Sequence, residues 1–143
     1  MSGSRDAIAG LIFAYAERID AGDLGGVAAL FRDATYRSAG GGMYRGSAAV
    51  LEVLSRKVIL HGDGTPRTKH VTTNLVIDVD EAVGTATARS YFTVLQQTEG
   101  QPLQPIVAGR YHDRFRRADG DWRFEDRLIS VDLVGDLSRH LHG

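Results

Sequence analysis

The sequence predicts an α+β domain in which a curved antiparallel sheet wraps around helices. Three observations carry that expectation. Apolar residues recur at helical spacing only in the front third of the chain. From Lys69 onward they alternate with period two along runs rich in Thr, Val, Tyr and Phe. Helices first and strands afterwards is the order of an α+β fold, not of an alternating α/β one. The 143 residues make room for one domain, residues 1–143, which needs neither a disulfide nor a metal to fold.

The first helix carries Ile8, Leu11, Ile12, Tyr15 and Ile19 on one row and Ala9, Phe13, Ala16 and Asp20 on a second, so its apolar arc is wide. Gly22, tolerant of the left-handed conformation, stops it. Asp23 is a natural N-cap for a short second helix with Val27, Leu30 and Phe31. Residues 35–38 and 43–45 read as short strands around the Gly40-Gly41-Gly42 turn. Ser47 is placed to cap a third helix, buried through Val50, Leu51, Leu54 and Val58. In the first long strand Val71, Thr73, Leu75, Ile77 and Val79 face one way and His70, Thr72, Asn74, Val76 and Asp78 the other. Residues 82–97 and 106–117 are further strands. Asp119-Gly120 makes a tight hairpin turn, and residues 122–133 form the last strand. The tail, residues 134–143, is expected to fray.

Composition excludes several function classes. Seventeen basic residues against 18 acidic ones leave a net charge of −1, which points to neither nucleic acid nor an anionic membrane as partner. The absence of cysteine removes disulfide frameworks, thiolate nucleophiles and cysteine zinc sites. The opening residues carry no apolar run of a signal peptide, and no stretch approaches a membrane span, so a cytoplasmic protein is expected.

Asp20 is an anomaly, a carboxylate on the apolar row of Phe13 and Ala16, costly there unless it has a partner. His70 begins a strand, on a face with Thr72 and Asn74. A carboxylate bonded to one imidazole nitrogen fixes the tautomer and raises the basicity of the other, which makes a general base near neutral pH. Tyr15, Tyr36, Tyr91 and Tyr111 are either core aromatics or phenol donors lining a pocket. Arg127 stands in an apolar row with Ile129 and Val131, and either closes the pocket or pairs with a nearby acid. His61 falls in a loop and His140 and His142 in the tail, so the histidines make no metal site. Neither metal nor cofactor is expected. The Gly40–Gly42 run lacks the lysine and helix of a phosphate loop. With His70 facing a pocket, the row Val71, Leu75, Ile77 and Val79 would lie on the outer sheet face and mark a homo-oligomer, dimer or trimer.

Several segments together carry a resemblance. They are Tyr15, Ile19-Asp20-Ala21-Gly22-Asp23, Ala29-Leu30-Phe31, Tyr36-Arg37-Ser38, Thr65-Pro66-Arg67-Thr68-Lys69-His70, Gly109-Arg110-Tyr111-His112-Asp113 and Asp119-Gly120-Asp121-Trp122-Arg123-Phe124. The chain resembles the SnoaL-like proteins, in the superfamily of nuclear transport factor two, scytalone dehydratase and ketosteroid isomerase. The resemblance implies a cystatin-like, cone-shaped sheet around three helices. Asp20 and His70 match the aspartate and histidine of scytalone dehydratase and of the hexachlorocyclohexane dehydrochlorinase. Bile acid dehydratases are similar at Tyr15, Asp20, His70 and Arg127, and Tyr36 matches a catalytic tyrosine of scytalone dehydratase. Departures exist as well. No second pocket histidine stands in residues 85–97, and Arg37-Ser38 and Tyr111 replace the two catalytic aspartates of ketosteroid isomerase.

The resemblance therefore implies a cofactor-independent lyase of the dehydratase kind. In that reading His70, Asp20, Tyr36 and Tyr15 are catalytic, and Tyr111, Arg127, Tyr91 and Asn74 contact a small, mostly apolar cyclic substrate such as a polyketide, steroid or terpenoid. An isomerase or cyclase with the same base, or a non-catalytic binding or assembly module, are the alternatives. Asp20 and His70 in hydrogen-bond reach, both facing one closed cavity, would favour the enzyme, and a filled cavity the module.

Overall fold

A computed structural model describes residues 3–143. Helix α1 (Ser4–Asp20) is followed by α2 (Leu24–Ala29), the short strands β1 (Thr35–Ser38) and β2 (Met43–Arg45), and helix α3 (Ser47–Lys57). Four long strands then run as β3 (Thr68–Asp80), β4 (Thr85–Thr98), β5 (Gln101–Ala118) and β6 (Asp121–Val134). They form one open, curved sheet in the order β2-β1-β6-β5-β4-β3. Neighbours are antiparallel except β1 and β6, which run parallel.

Local chemistry sets the boundaries. Gly22 ends the first helical segment at φ 77°, and a Cβ there would stand 2.0 Å from the Gly64 carbonyl oxygen. Asp23 caps α2 by accepting the backbone N–H of Gly26 at 2.9 Å. Asp119 and Gly120 both take positive φ, 53° and 84°, as a two-residue hairpin of right-handed strands requires. Ser47 does not cap α3. It is the first helical residue, and Gly46 precedes it with no side-chain bond. The buried side of α3 is Val50, Val53 and Leu54, while Leu51 is exposed; on α1, Phe13 is exposed too. The core unites Ile8, Ile12, Ile19, Val27 and Phe31 of the helical layer with Phe92, Val94, Ile106, Phe115 and Phe124 of the sheet.

Two expectations are corrected here. The first is the outer apolar row. Between Thr73 and Val76 strand β3 carries one extra residue against β4, and Asn74 sits there at φ 53°. Asn is among the residues that tolerate this left-handed conformation. The bulge reverses the alternation, so Leu75, Ile77 and Val79 turn inward against the core while Val71 and Val76 stay outside. The second is the tail, which docks instead of fraying. The Ile59 N–H donates to the His140 carbonyl at 2.8 Å, the His142 N–H donates to the Lys57 carbonyl at 2.9 Å, and Val58 bridges Leu141. No helix is long and apolar enough to cross a membrane among the described residues.

Candidate active site

The site forms where the end of α1 meets the start of β3. Asp20 is the last residue of α1, and its carboxylate takes three hydrogen bonds from that strand. Oδ2 takes the His70 backbone N–H at 2.7 Å, and Oδ1 takes the Thr68 hydroxyl at 2.8 Å and His70 Nδ1 at 2.6 Å. Both side chains are nearly sealed, at 6% exposure for His70 and 10% for Asp20. Burial pushes the Asp20 carboxyl up, but the side-chain bond and charge of His70, its backbone N–H and Thr68 together outweigh it, so the net shift is downward. An ionised Asp20 can only accept, which puts the imidazole proton on Nδ1 and leaves Nε2 with the free lone pair.

His70 lines a cavity of about 550 Å³ between the helices and the inner face of the sheet. Its walls are mostly apolar, from Val53 and Leu54 of α3 to Val94, Val107 and Ile129 of the sheet. Tyr15, Tyr36 and Tyr111 bring phenols to it. The Tyr15 and Tyr36 hydroxyls are bonded to each other at 2.8 Å, and the Tyr15 ring stands edge-on to His70 with centroids 6.5 Å apart. Burial raises all three tyrosines above the ordinary phenol range, so at neutral pH they donate hydrogen bonds as phenols. Gly109 helps to shape this floor. A Cβ there would come within 2.8 Å of the Phe92 ring, which stacks on Tyr111 at 4.6 Å.

Three expected pocket residues lie elsewhere. Arg127 is wholly buried and does not reach the cavity. Its guanidinium makes a bidentate pair with Asp113, at 2.8 and 2.9 Å, and lies 3.7 Å above the Tyr111 ring and 4.4 Å from that of Tyr15. It backs the phenols from below. Tyr91 is 52% exposed on the outer sheet face, because Phe92 takes the inward place in the β4 alternation. Asn74 is exposed, at the bulge.

The tail supplies a residue that sequence reasoning placed outside the site. His140, 5% exposed, lines the same cavity, and its ring lies edge-on to His70 with centroids 6.0 Å apart. Burial, followed by the charge of His70, lowers its pKa from 6.5 to about 4; His61 adds to this and Asp20 opposes it. The only mark in the sequence was the pairing of an apolar Leu141 beside it, too short to predict a bridge to residue 58. A pH dependence follows. Above pH 6.5 neither folded nor unfolded chain holds a proton here. As pH falls toward 4 the unfolded chain binds one and the folded chain does not, so stability is lost, by about 3 kcal/mol at pH 4. Urea midpoints of wild type and His140→Phe should therefore diverge across that window in favour of the variant; parallel curves would contradict it.

A family model described as the SnoaL-like domain matches residues 2–127. The chain belongs to the SnoaL-like family. Its curved sheet on helices is the cystatin-like fold of two solved structures that it resembles. It is similar to Rv3472, a protein of unknown function from Mycobacterium tuberculosis, at 29% identity and TM-score 0.73 over 92% of this chain and 78% of that one. A protein designated a candidate scytalone dehydratase from Novosphingobium aromaticivorans is 26% identical, with TM-score 0.72 over 92% and 86%. LinA is 25% identical, with TM-score 0.74 over 94% and 90%. No curated protein matches the sequence significantly. Among the described residues of this SnoaL-like chain, no group of three or more His, Asp or Glu side chains is arranged to hold a metal ion.

Proposed function

We propose that this SnoaL-like protein is a cofactor-independent lyase of the dehydratase kind, acting on a small, mostly apolar cyclic substrate. One observation carries the reading: the 2.6 Å contact between Asp20 and His70 Nδ1 at the wall of a roughly 550 Å³ apolar cavity. The kinship with the candidate scytalone dehydratase and with LinA agrees with it.

In this mechanism His70 Nε2 removes a proton from a carbon next to a carbonyl. Asp20 holds Nδ1–H and stabilises the imidazolium that forms, as in other carboxylate–histidine pairs. Tyr36, supported by Tyr15, donates a hydrogen bond to the substrate oxygen on which negative charge develops. The carbon–carbon double bond forms as the bond to the adjacent hydroxyl breaks, and the departing hydroxide leaves as water with a proton returned from the site. Tyr111 and Phe92 form an aromatic floor for the ring.

Cyclic β-hydroxy ketones are the substrates to screen, because water loss from them creates a conjugated enone with strong ultraviolet absorbance. Turnover is expected in the presence of EDTA. Turnover lost on chelation and restored by one divalent metal would contradict the mechanism.

A cytoplasmic homo-oligomer, dimer or trimer, completes the proposal. It now rests on Val71, Val76 and Tyr91, exposed together on the outer sheet face, in place of the row that the bulge turns inward. Sedimentation is expected to give a dimer or trimer at micromolar concentration, and a monomer there would contradict it.

A further inference from the structure

Beside the Asp20–His70 pair and the phenols, the cavity lining carries a second imidazole, that of His140, for which the mechanism has no role. We propose that His140 is a substrate-contact residue, an imidazole that the C-terminal tail delivers to the cavity to hydrogen-bond a hydroxyl group on the ring held against His70. The proposal rests on the cavity being the substrate site.

The placement of this ring is enforced. The Arg139 carbonyl accepts from the buried Gln96 side chain at 3.0 Å and meets His61 Nε2 at 2.9 Å. The His140 carbonyl accepts the Ile59 N–H, its N–H donates to the Leu137 carbonyl at 3.0 Å, and the His142 N–H is tied to Lys57. Arg139, His140 and His142 are therefore each tied by a bond to a part of the fold outside the tail. What the clamp presents is a polar side chain among apolar ones, since Leu137 and Leu141 line the cavity on either side. His140 Nδ1 is sealed from solvent with no hydrogen-bond partner. A leucine would fill the same wall without that cost, because a buried polar atom without a partner forfeits its hydration.

The chemistry of the contact selects its ligand. No carboxylate bonds the ring, so it is not held as an imidazolium for an anion. A neutral imidazole offers one donor and one acceptor, which matches a hydroxyl better than a halide or a hydrocarbon edge. With Nδ1 sealed, a ligand meets Nε2. The edge-on position against His70 at 6.0 Å brings a single ring substituent within reach of both imidazoles. The substrate class narrows accordingly to hydroxylated apolar rings.

The test uses 2-naphthol and 2-methylnaphthalene, equal in shape and different only in the hydroxyl, with histidine-¹⁵N-labelled protein. Naphthol is expected to shift the ring nitrogens of both His70 and His140, and the methyl analogue to leave those of His140 in place. His140→Phe should weaken naphthol binding about tenfold, the worth of one such hydrogen bond, and leave the methyl analogue unaffected. His140→Gln, whose amide reaches the Nε2 position, should recover part of that loss. Bound naphthol that moves His70 and not His140 overturns the proposal and leaves the base in place. Movement of His140 and not His70 supports the proposal and counts against the base. Failure of naphthol to bind at millimolar concentration overturns it as well.

Discussion

His70→Gln is expected to lower turnover by about 10²–10⁴-fold, the usual worth of a general base, and to leave the fold intact. The substitution keeps the backbone N–H that holds Asp20 Oδ2 at 2.7 Å, so the junction of α1 and β3 stays closed. Asp20→Asn should cost nearly as much for a different reason. Its amide nitrogen must replace either Oδ1, where it faces Nδ1 and the Thr68 hydroxyl, or Oδ2, where it faces a backbone N–H. The first choice drives the imidazole to the wrong tautomer, and the second sets donor against donor. The double variant should be little worse than either single one, because the two residues act as a unit. Tyr36→Phe removes one hydrogen bond and should cost about tenfold.

The second large effect is on stability. Arg127 and Asp113 form an ion pair with both side chains fully buried. Burial lowers the pKa of Arg127, but the charge and bonds of Asp113 outweigh it and the net shift is upward. Arg127→Met strands a carboxylate in the core and should cost about 3–5 kcal/mol. Adding Asp113→Leu removes the stranded charge and should restore most of that loss. Urea unfolding of the wild type and these two variants reads both statements. A substrate-binding arginine would behave otherwise: Arg127→Met would raise KM with stability unchanged.

Much of this architecture was legible in the sequence because its signals are local. The row Ile8, Ile12, Tyr15, Ile19, the Asp23 cap and the Asp119-Gly120 turn each act within a few residues. Asp20 was legible as a misplaced charge, and its partner followed from resemblance. What failed was long-range or depended on one backbone angle. Asn74 at φ 53° flips the face of everything after it in β3, and nothing in its neighbours marks it as a bulge. Arg127 stood out, but Asp113 lies on the adjacent strand, visible only once β5 and β6 are in register. Tyr91 could have been placed: Ala86, Ala88, Phe92 and Val94 already define the inward face of β4. His140 depended on a tail that pairs with residues some 80 positions away, such as Val58 with Leu141.

The claim on which the rest depends is that Asp20 holds His70 with its proton on Nδ1 and its lone pair on Nε2 toward the cavity. A long-range ¹H–¹⁵N spectrum of the imidazoles at pH 8 measures this without any substrate. A protonated Nδ1 and an unprotonated Nε2 are expected for His70 in the wild type, with loss of that preference in Asp20→Asn. A wild-type His70 protonated on Nε2, or a tautomer indifferent to Asp20→Asn, would contradict it.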